Sequence, residues 1–520
     1  MAEDDAKARI AGEWESETGF PEGRFDLVRR TVGLFLGPAL LVGLWLLPVP
    51  GLSPRAQDLV AILGLVVTYW VTEPIPIPVT ALLGAAFCIL LGVSTAPKVL
   101  APFADPTIFL FLGSFILAEA MMVHGLHKRL AFRLLSLRWI GDSSARILFA
   151  YGAVSALVSM WISNTATTAM MFPVGLGLIH AVAAILEARS GKRVDATRLR
   201  FGTAIMLMAA YAASAGGIGT PVGTPPNLVG IAMIYRHAGV RIPFFQWMQF
   251  AVPILAVLYV VLFFILYLIH RPEVARIEGG REYVRGELRK LGGWTAGQRN
   301  TLIAFLVTAA LWVTPGFLAV AFGVGSQVYE VYGARVPESA AALVGAVLLF
   351  ILPTSWRRRE FTLTWRQAAR IDWGTLILFG GGLSLGSLMF ETGLAEALGR
   401  FLLEVTGVRS TWGITFAAIV ISVLVSETTS NTASANVVVP VAISLAVAAG
   451  VSPVPPALGA TLGASWGFML PVATPPNAIV YGSGMVPVGK MIRAGFLFDV
   501  AGTLIIWTGL RLLLPLVGLE

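Results

Sequence analysis

The sequence predicts an all-α polytopic membrane protein with about 11 transmembrane helices, two re-entrant hairpins and two broken helices, arranged as an inverted repeat. Three observations lead there. Of 520 residues, 56% are hydrophobic and only 13% charged, with a mean hydropathy of +0.79, outside the range of soluble domains. Polar clusters, "WISNTATTAM" from Trp161 and "TTSNTASANV" from Thr428, interrupt two long apolar runs. There a hydroxyl or amide costs free energy unless something repays it, which marks a functional site. The two clusters also stand in register with other repeated segments.

The mixed-charge stretch 1–30 lacks the apolar core of a cleavable signal and reads as a cytoplasmic tail. Apolar runs of about the 20 residues that cross a bilayer follow near 31–48, 57–72, 77–93, 105–124, 247–270, 300–322, 338–355, 374–390 and 495–516. Four other stretches are polar or rich in Pro and Gly at their centres. Those at 146–187 and 411–448 are each about two half-spans with Ser-Asn-Thr between, as in a hairpin whose tip stops near the midplane. Those at 203–236 and 457–490 contain "GGIGTPVGTPPNLVG" and "FMLPVATPPNAIVYG", whose paired prolines break a helix in two. The chain thus divides into scaffold helices over 31–104, a first repeat over 105–270, a charged cytoplasmic linker over 271–300, scaffold helices over 301–373 and a second repeat over 374–516.

The net charge of +8 is strung between the apolar runs rather than gathered on one module, which argues for membrane orientation and against nucleic acid. Basic residues precede the first span (Arg24, Arg29, Arg30), follow the fourth (Lys128, Arg129, Arg133, Arg138) and follow the first hairpin (Arg189, Lys192, Arg193, Arg198, Arg200). Others fill 271–300 and the stretch from Arg357 to Arg370. With eleven crossings all of them fall on the side of the N-terminus, so the N-terminus is cytoplasmic and the C-terminus outside. The single cysteine, Cys88, excludes an internal disulfide.

"DPTIFLFLG" from Asp105 and "DWGTLILFG" from Asp372 are 267 apart, as are Asn164 and Asn431, and Pro173 and Pro440. The two "TPPN" elements, ending at Asn227 and Asn477, are 250 apart, the difference being the longer loop "EARSGKRVDATRLR". The topology points the halves in opposite directions. Inverted repeats with discontinuous helices meeting at the midplane are the architecture of an alternating-access transporter.

The meeting point collects Ser159, Ser163, Asn164, Thr165 and Thr224 from one half and Ser426, Ser430, Asn431, Thr432 and Thr474 from the other, with no Lys or Arg in any of the four motifs. Hydroxyls, amides, freed carbonyls and helix N-termini supply oxygen ligands for a hard cation and donors for an anion. Sodium with a carboxylate substrate satisfies both. Ser and Thr in membrane helices commonly just bond back to a carbonyl, but duplication in register beside a duplicated "TPPN" speaks against that reading here. Glu427 is open to two readings, a proton carrier or a structural carboxylate. Asp105 and Asp372 read as helix N-caps. "GASWG" from Gly463 matches a nucleophile elbow but has no preceding strand, and "GGIGTPVG" lacks the ending of a nucleotide phosphate loop. The five histidines show no ligand spacing. An enzyme is not expected.

At "SNTATTAMM", "GTPPN", "TSNTASANVVVPV" and "MLPVATPPNAIVYGSG" the chain resembles the divalent anion/sodium symporter family over about residues 31 to 516. The resemblance implies a homodimer in the lipid bilayer, in the inner membrane of a bacterium, with a fixed scaffold and a transport domain that moves in elevator fashion. It implies sodium-coupled symport of a C4 dicarboxylate such as succinate, malate or fumarate, the alternatives being sodium-independent exchange or a citrate or sulfate carrier. Carried over residue by residue, it implies one sodium site from Ser159, Ser163, Asn164 and backbone around Gly223, and a second from Ser426, Thr429, Asn431 and backbone around Ala473. Substrate then rests on Ser163, Asn164, Thr165, Ser430, Asn431 and Thr432 at the two tips, and on Thr224, Thr474 and Pro475.

Overall fold

The computed structural model describes residues 24–519, so most of the predicted tail 1–30 lies outside the described residues. The first helix, Arg24–Leu46, already begins within that stretch. Among the described residues the regular structure is helical apart from one small antiparallel pair, Pro353–Ser355 with Glu360–Phe361, which the all-α expectation did not include. Among the described residues ten helices are long and apolar enough to cross a membrane, and the pair Gln327–Arg335 and Glu338–Ile351, bent by 53°, adds an eleventh. The total matches the expected crossings, but its membership differs. Asn164–Ser190, Thr411–Thr428 and Asn431–Ala448 qualify by length although each starts or stops inside the bundle, while the shorter apolar Ile77–Leu90 does not.

Each stretch expected to form a hairpin contains two helices joined by a short non-helical turn. The first pairs Ser144–Ser159 with Asn164–Ser190 and the second Thr411–Thr428 with Asn431–Ala448. In each, a serine accepts from a backbone N–H three residues on, Ser163 from Ala166 and Ser430 from Ala433, so the tip is also the cap of the outgoing helix. Asn164–Ser190 has 27 residues, about 40 Å at 1.5 Å per residue. That is more than a half-span, and its last residues, Arg189 and Ser190, are exposed. The broken helices are Arg200–Gly216, extended by a tight turn over Gly217–Gly219, with Pro225–Ala238, and Val454–Ala464 with Pro475–Tyr481. The prolines open the second piece of each, where a missing N–H costs nothing.

The basic loops gather at one end of the molecule. Ser144 Oγ donates to the Val274 carbonyl, Arg129 reaches the carbonyls of residues 291–293, and His124 lies 2.6 Å from the Thr362 carbonyl. Within the expected linker 271–300 stands an amphipathic helix, Gly280–Lys290, and Ala296–Phe322 starts before its end. A matching amphipathic helix, Leu126–Leu135, lies at this end, and another, Leu394–Thr406, follows Trp373–Glu391 at the other. Asp105 and Asp372 do cap their helices, accepting from Thr107 and Thr375. Lipid-facing positions such as Phe264, Phe317 and Val320 are exposed, whereas Arg200–Gly216 is buried along nearly its whole length at the centre.

Arg129 fastens Leu126–Leu135 to the start of Ala296–Phe322. It is 3% exposed and donates to Gln298 Oε1 and to the carbonyls of Leu291, Gly292 and Gly293 at 2.8–3.0 Å, with its guanidinium 5.3 Å from the Trp294 ring. Replacing Arg129 by Met strands these acceptors at a cost of about 3 kcal/mol. Thermal unfolding in detergent should fall by several degrees, and an unshifted midpoint would contradict the anchoring role.

Candidate functional site

The two Ser-Asn-Thr tips and the two Thr-Pro-Pro turns line one cavity of about 530 Å³. Ser163, Asn164, Thr165, Gly223, Thr224, Ser430, Asn431, Thr432, Ala473, Thr474 and Pro475 all face it. Asn164–Ser190, Pro225–Ala238 and Asn431–Ala448 each begin at its wall, so the positive ends of their helix dipoles border it. The remaining wall comes from one face of Pro106–Val123, through Ser114, Phe115, Ala118, Glu119 and Met122, and from Arg370, Asp372 and Thr375. Those last residues belong to the basic end, so the cavity runs from the interior toward that end.

Behind each tip lies a cluster of oxygens. Ser159 Oγ is 2.7 Å from Asn164 Oδ1, and Ser426 Oγ is 2.9 Å from Asn431 Oδ1 and 2.7 Å from the Ala464 carbonyl. Both serines are fully buried. A hydroxyl has one proton, so each cluster keeps lone pairs to spare. In the first half the backbone closes in further: a Cβ on Gly217 would stand 2.7 Å from Asn164 Oδ1, and one on Gly223 would stand 2.4 Å from the Gly217 carbonyl and 3.0 Å from that of Met160. Only glycine lets these chains approach so closely. Such sets of hydroxyl, amide and carbonyl oxygens suit a hard, oxygen-seeking cation.

One residue implied by the resemblance turns elsewhere. The Thr429 hydroxyl donates to the Trp70 carbonyl at 2.7 Å, and Thr429 does not line the cavity. Other residues that matter were not singled out from the sequence. Asn227 Nδ2 donates to the carbonyls of Gly217 and Thr220, and Asn477 Nδ2 to that of Leu470, pinning the chain that leads into each second helix piece. Their signal was the last letter of the duplicated "TPPN". The cavity face of Pro106–Val123 was also missed, although 114, 115, 118, 119 and 122 follow helical spacing.

At the end opposite the basic loops, ion pairs link neighbouring segments. Arg236 donates from Nε and Nη2 to Asp105 Oδ2 at 3.1 and 2.6 Å and from Nη1 to Ser387, and Arg241 meets Glu338 at 2.9 Å.

A cavity built at helix breaks in the interior of a membrane bundle, and opening toward one end, defines a membrane transporter. Residues 29–517 match the family described as the sodium:sulfate symporter transmembrane region, and the chain belongs to that family. It is 34% identical over 491 residues to the sodium-dependent dicarboxylate transporter SdcS of Staphylococcus saprophyticus, covering 94% of this chain and 92% of that one. The transporter of the same name from Staphylococcus aureus is 33% identical over the same span. Among solved structures, the YdaH transporter of Alcanivorax borkumensis, described as having an unusual topology, shares the fold with a TM-score of 0.52 at 15% identity, over 94% of this chain and 97% of that one.

Proposed function

We propose that this protein carries C4 dicarboxylates such as succinate, malate or fumarate across the membrane, driven by sodium. The observation that carries the reading is the convergence of both Ser-Asn-Thr tips on one cavity, each backed by a buried Ser–Asn oxygen pair, with no Lys or Arg in either tip. A dianion in such a site needs positive charge from elsewhere, and two sodium ions held behind the tips supply it. Two tips facing one space suit a substrate with two carboxylates better than a single tetrahedral anion. The full-length likeness to transporters named sodium-dependent and dicarboxylate points the same way.

In this proposal one sodium ion is held by Ser159, Ser163, Asn164 and backbone around Gly223, the other by Ser426, Asn431 and backbone around Ala473 and Thr429. Substrate rests on Ser163, Asn164, Thr165, Thr224, Ser430, Asn431, Thr432, Thr474 and Pro475. The basic end is cytoplasmic, by the charge bias of inner-membrane proteins, which puts the N-terminus inside and the C-terminus outside. A cavity open to that end, with Arg236–Asp105 and Arg241–Glu338 linking segments at the other, is what the inward-facing state of an inverted-repeat carrier would present. Movement of the hairpins and broken helices past a dimeric scaffold, as an elevator, would expose the same site outside.

The direct test is uptake of radiolabelled succinate into proteoliposomes with and without an inward sodium gradient. Uptake that ignores sodium would overturn the coupling, and indifference to succinate with uptake of sulfate would overturn the substrate class. Replacing Ser159 or Ser426 by Ala removes one oxygen from one cation cluster. Each variant is expected to raise the sodium concentration for half-maximal uptake by roughly tenfold, the equivalent of about 1.4 kcal/mol, with little change in succinate affinity at saturating sodium. Sodium titrations that superimpose on wild type would remove these serines from the sites.

A further inference from the structure

The two halves brace their broken helices at the same joint with different chemistry, and this assigns a role to Glu427. By the offsets of the repeat, Glu427 stands where the first half has Met160 (427 − 267 = 160) and Leu470 where it has Thr220 (470 − 250 = 220). In the first half the helix continues through a tight turn over Gly217–Gly219, and the Thr220 hydroxyl donates to the Met160 carbonyl at 2.5 Å. The second half has no such turn. Its helix stops at Ala464, and residues 467–469 are not helical, which leaves the N–H groups that follow without helical acceptors. The Glu427 carboxylate takes three of them: Oε1 accepts from Phe468 at 2.5 Å and Met469 at 2.8 Å, and Oε2 from Leu470 at 3.2 Å. Glu427 is 3% exposed, and no Lys or Arg pairs with it among the described residues. Asp499 of Val488–Leu513, also buried, lies against it.

We propose that Glu427 is a positioning residue: it holds Phe468–Leu470 so that the segment running on to Ala473 and Thr474 presents its backbone to the second cation cluster and its hydroxyl to the cavity. The chain of contacts is short. Glu427 fixes the Leu470 N–H, Asn477 fixes the Leu470 carbonyl, and Ala473 N–H donates to that same carbonyl at 3.2 Å. Glu427 also directly follows Ser426, whose hydroxyl sits 2.9 Å from Asn431 Oδ1. The side chain acts through the backbone and touches neither ion nor substrate. The idea rests on the sodium-coupled reading above and adds a residue that the two serine–asparagine clusters do not include.

A transplant of the first half's joint provides the test. Glu427→Gln keeps the shape but faces an N–H with an amide NH2, and Glu427→Met removes the brace. In proteoliposomes both are expected to raise the sodium concentration for half-maximal succinate uptake by roughly tenfold or more, while succinate affinity at saturating sodium changes little. Adding Leu470→Thr to Glu427→Met rebuilds the Met–Thr pair of the first half, and sodium dependence is expected to recover toward wild type. A variant that is merely damaged would lose protein or maximal rate without this split and without rescue. Should Glu427→Met fail to accumulate, Glu427→Gln with and without Leu470→Thr makes the same comparison. Unchanged sodium dependence in Glu427→Gln, or no rescue by Leu470→Thr, overturns the positioning role while leaving sodium coupling in place; wild-type uptake that ignores sodium overturns both.

Discussion

Asn431→Asp is expected to abolish dicarboxylate uptake in a protein that still folds and inserts. Asn431 lines the cavity, and its Oδ1 lies 2.9 Å from Ser426 Oγ. Aspartate keeps the shape and an oxygen for that contact but exchanges an N–H donor for negative charge. At roughly 6 Å and an effective dielectric constant of about 20, each substrate charge is repelled by about 3 kcal/mol. Two charges then cost several orders of magnitude in affinity. The fold should tolerate the change, because Asn431 opens the helix Asn431–Ala448, where a carboxylate is favoured by the helix dipole. The added charge also attracts sodium. The expected signature is therefore a split: uptake lost, while sodium still raises the thermal unfolding midpoint at least as much as in wild type. Asn164→Asp should behave alike, since Asn164 opens Asn164–Ser190 and faces the same cavity. Normal succinate transport by a well-folded Asn431→Asp protein would remove the tips from the substrate site.

Gly223→Ala is expected to be nearly as severe, for a steric reason. The new methyl would lie 2.4 Å from the Gly217 carbonyl and 3.0 Å from the Met160 carbonyl, and both are backbone atoms that no rotamer change can move aside. The Thr220–Thr224 turn and the Ser159–Met160 end of the hairpin would have to separate, carrying oxygens of the first cluster apart. Sodium-driven uptake should fall to background. Gly43→Ala is the control: it lies in the apolar helix Arg24–Leu46, where a Cβ meets nothing within 4 Å. Gly223→Ala with ordinary sodium dependence would show that this backbone does not shape a cation site.

Much of the site was legible in the chain because membranes make polar residues costly. Ser-Asn-Thr inside an apolar run had to be explained, and its repetition 267 residues later left little room for chance. The four stretches read as hairpins and broken helices do contain the helix interruptions, at Met160–Ser163, Thr220–Thr224, Thr429–Ser430 and Ser465–Thr474. The amphipathic helices Leu126–Leu135, Gly280–Lys290 and Leu394–Thr406 escaped notice because a search for apolar spans discards helices that bury only one face.

The sequence by itself determined the class of fold, the places where helices break and the residue types at the breaks, since apolar length, paired prolines and hydroxyl clusters are properties of short segments. Only the tertiary structure decided which of those groups share a space. Thr429 and Asn431 are two residues apart, yet one hydroxyl is taken by Trp70 of a distant helix and the other side chain faces the cavity. Glu427 and Met160 occupy equivalent places in the repeat, but one carboxylate binds three N–H groups that the other half has no need to satisfy. Such choices depend on which partner arrives from elsewhere in the chain. A buried donor or acceptor must find one, and local pattern does not say which.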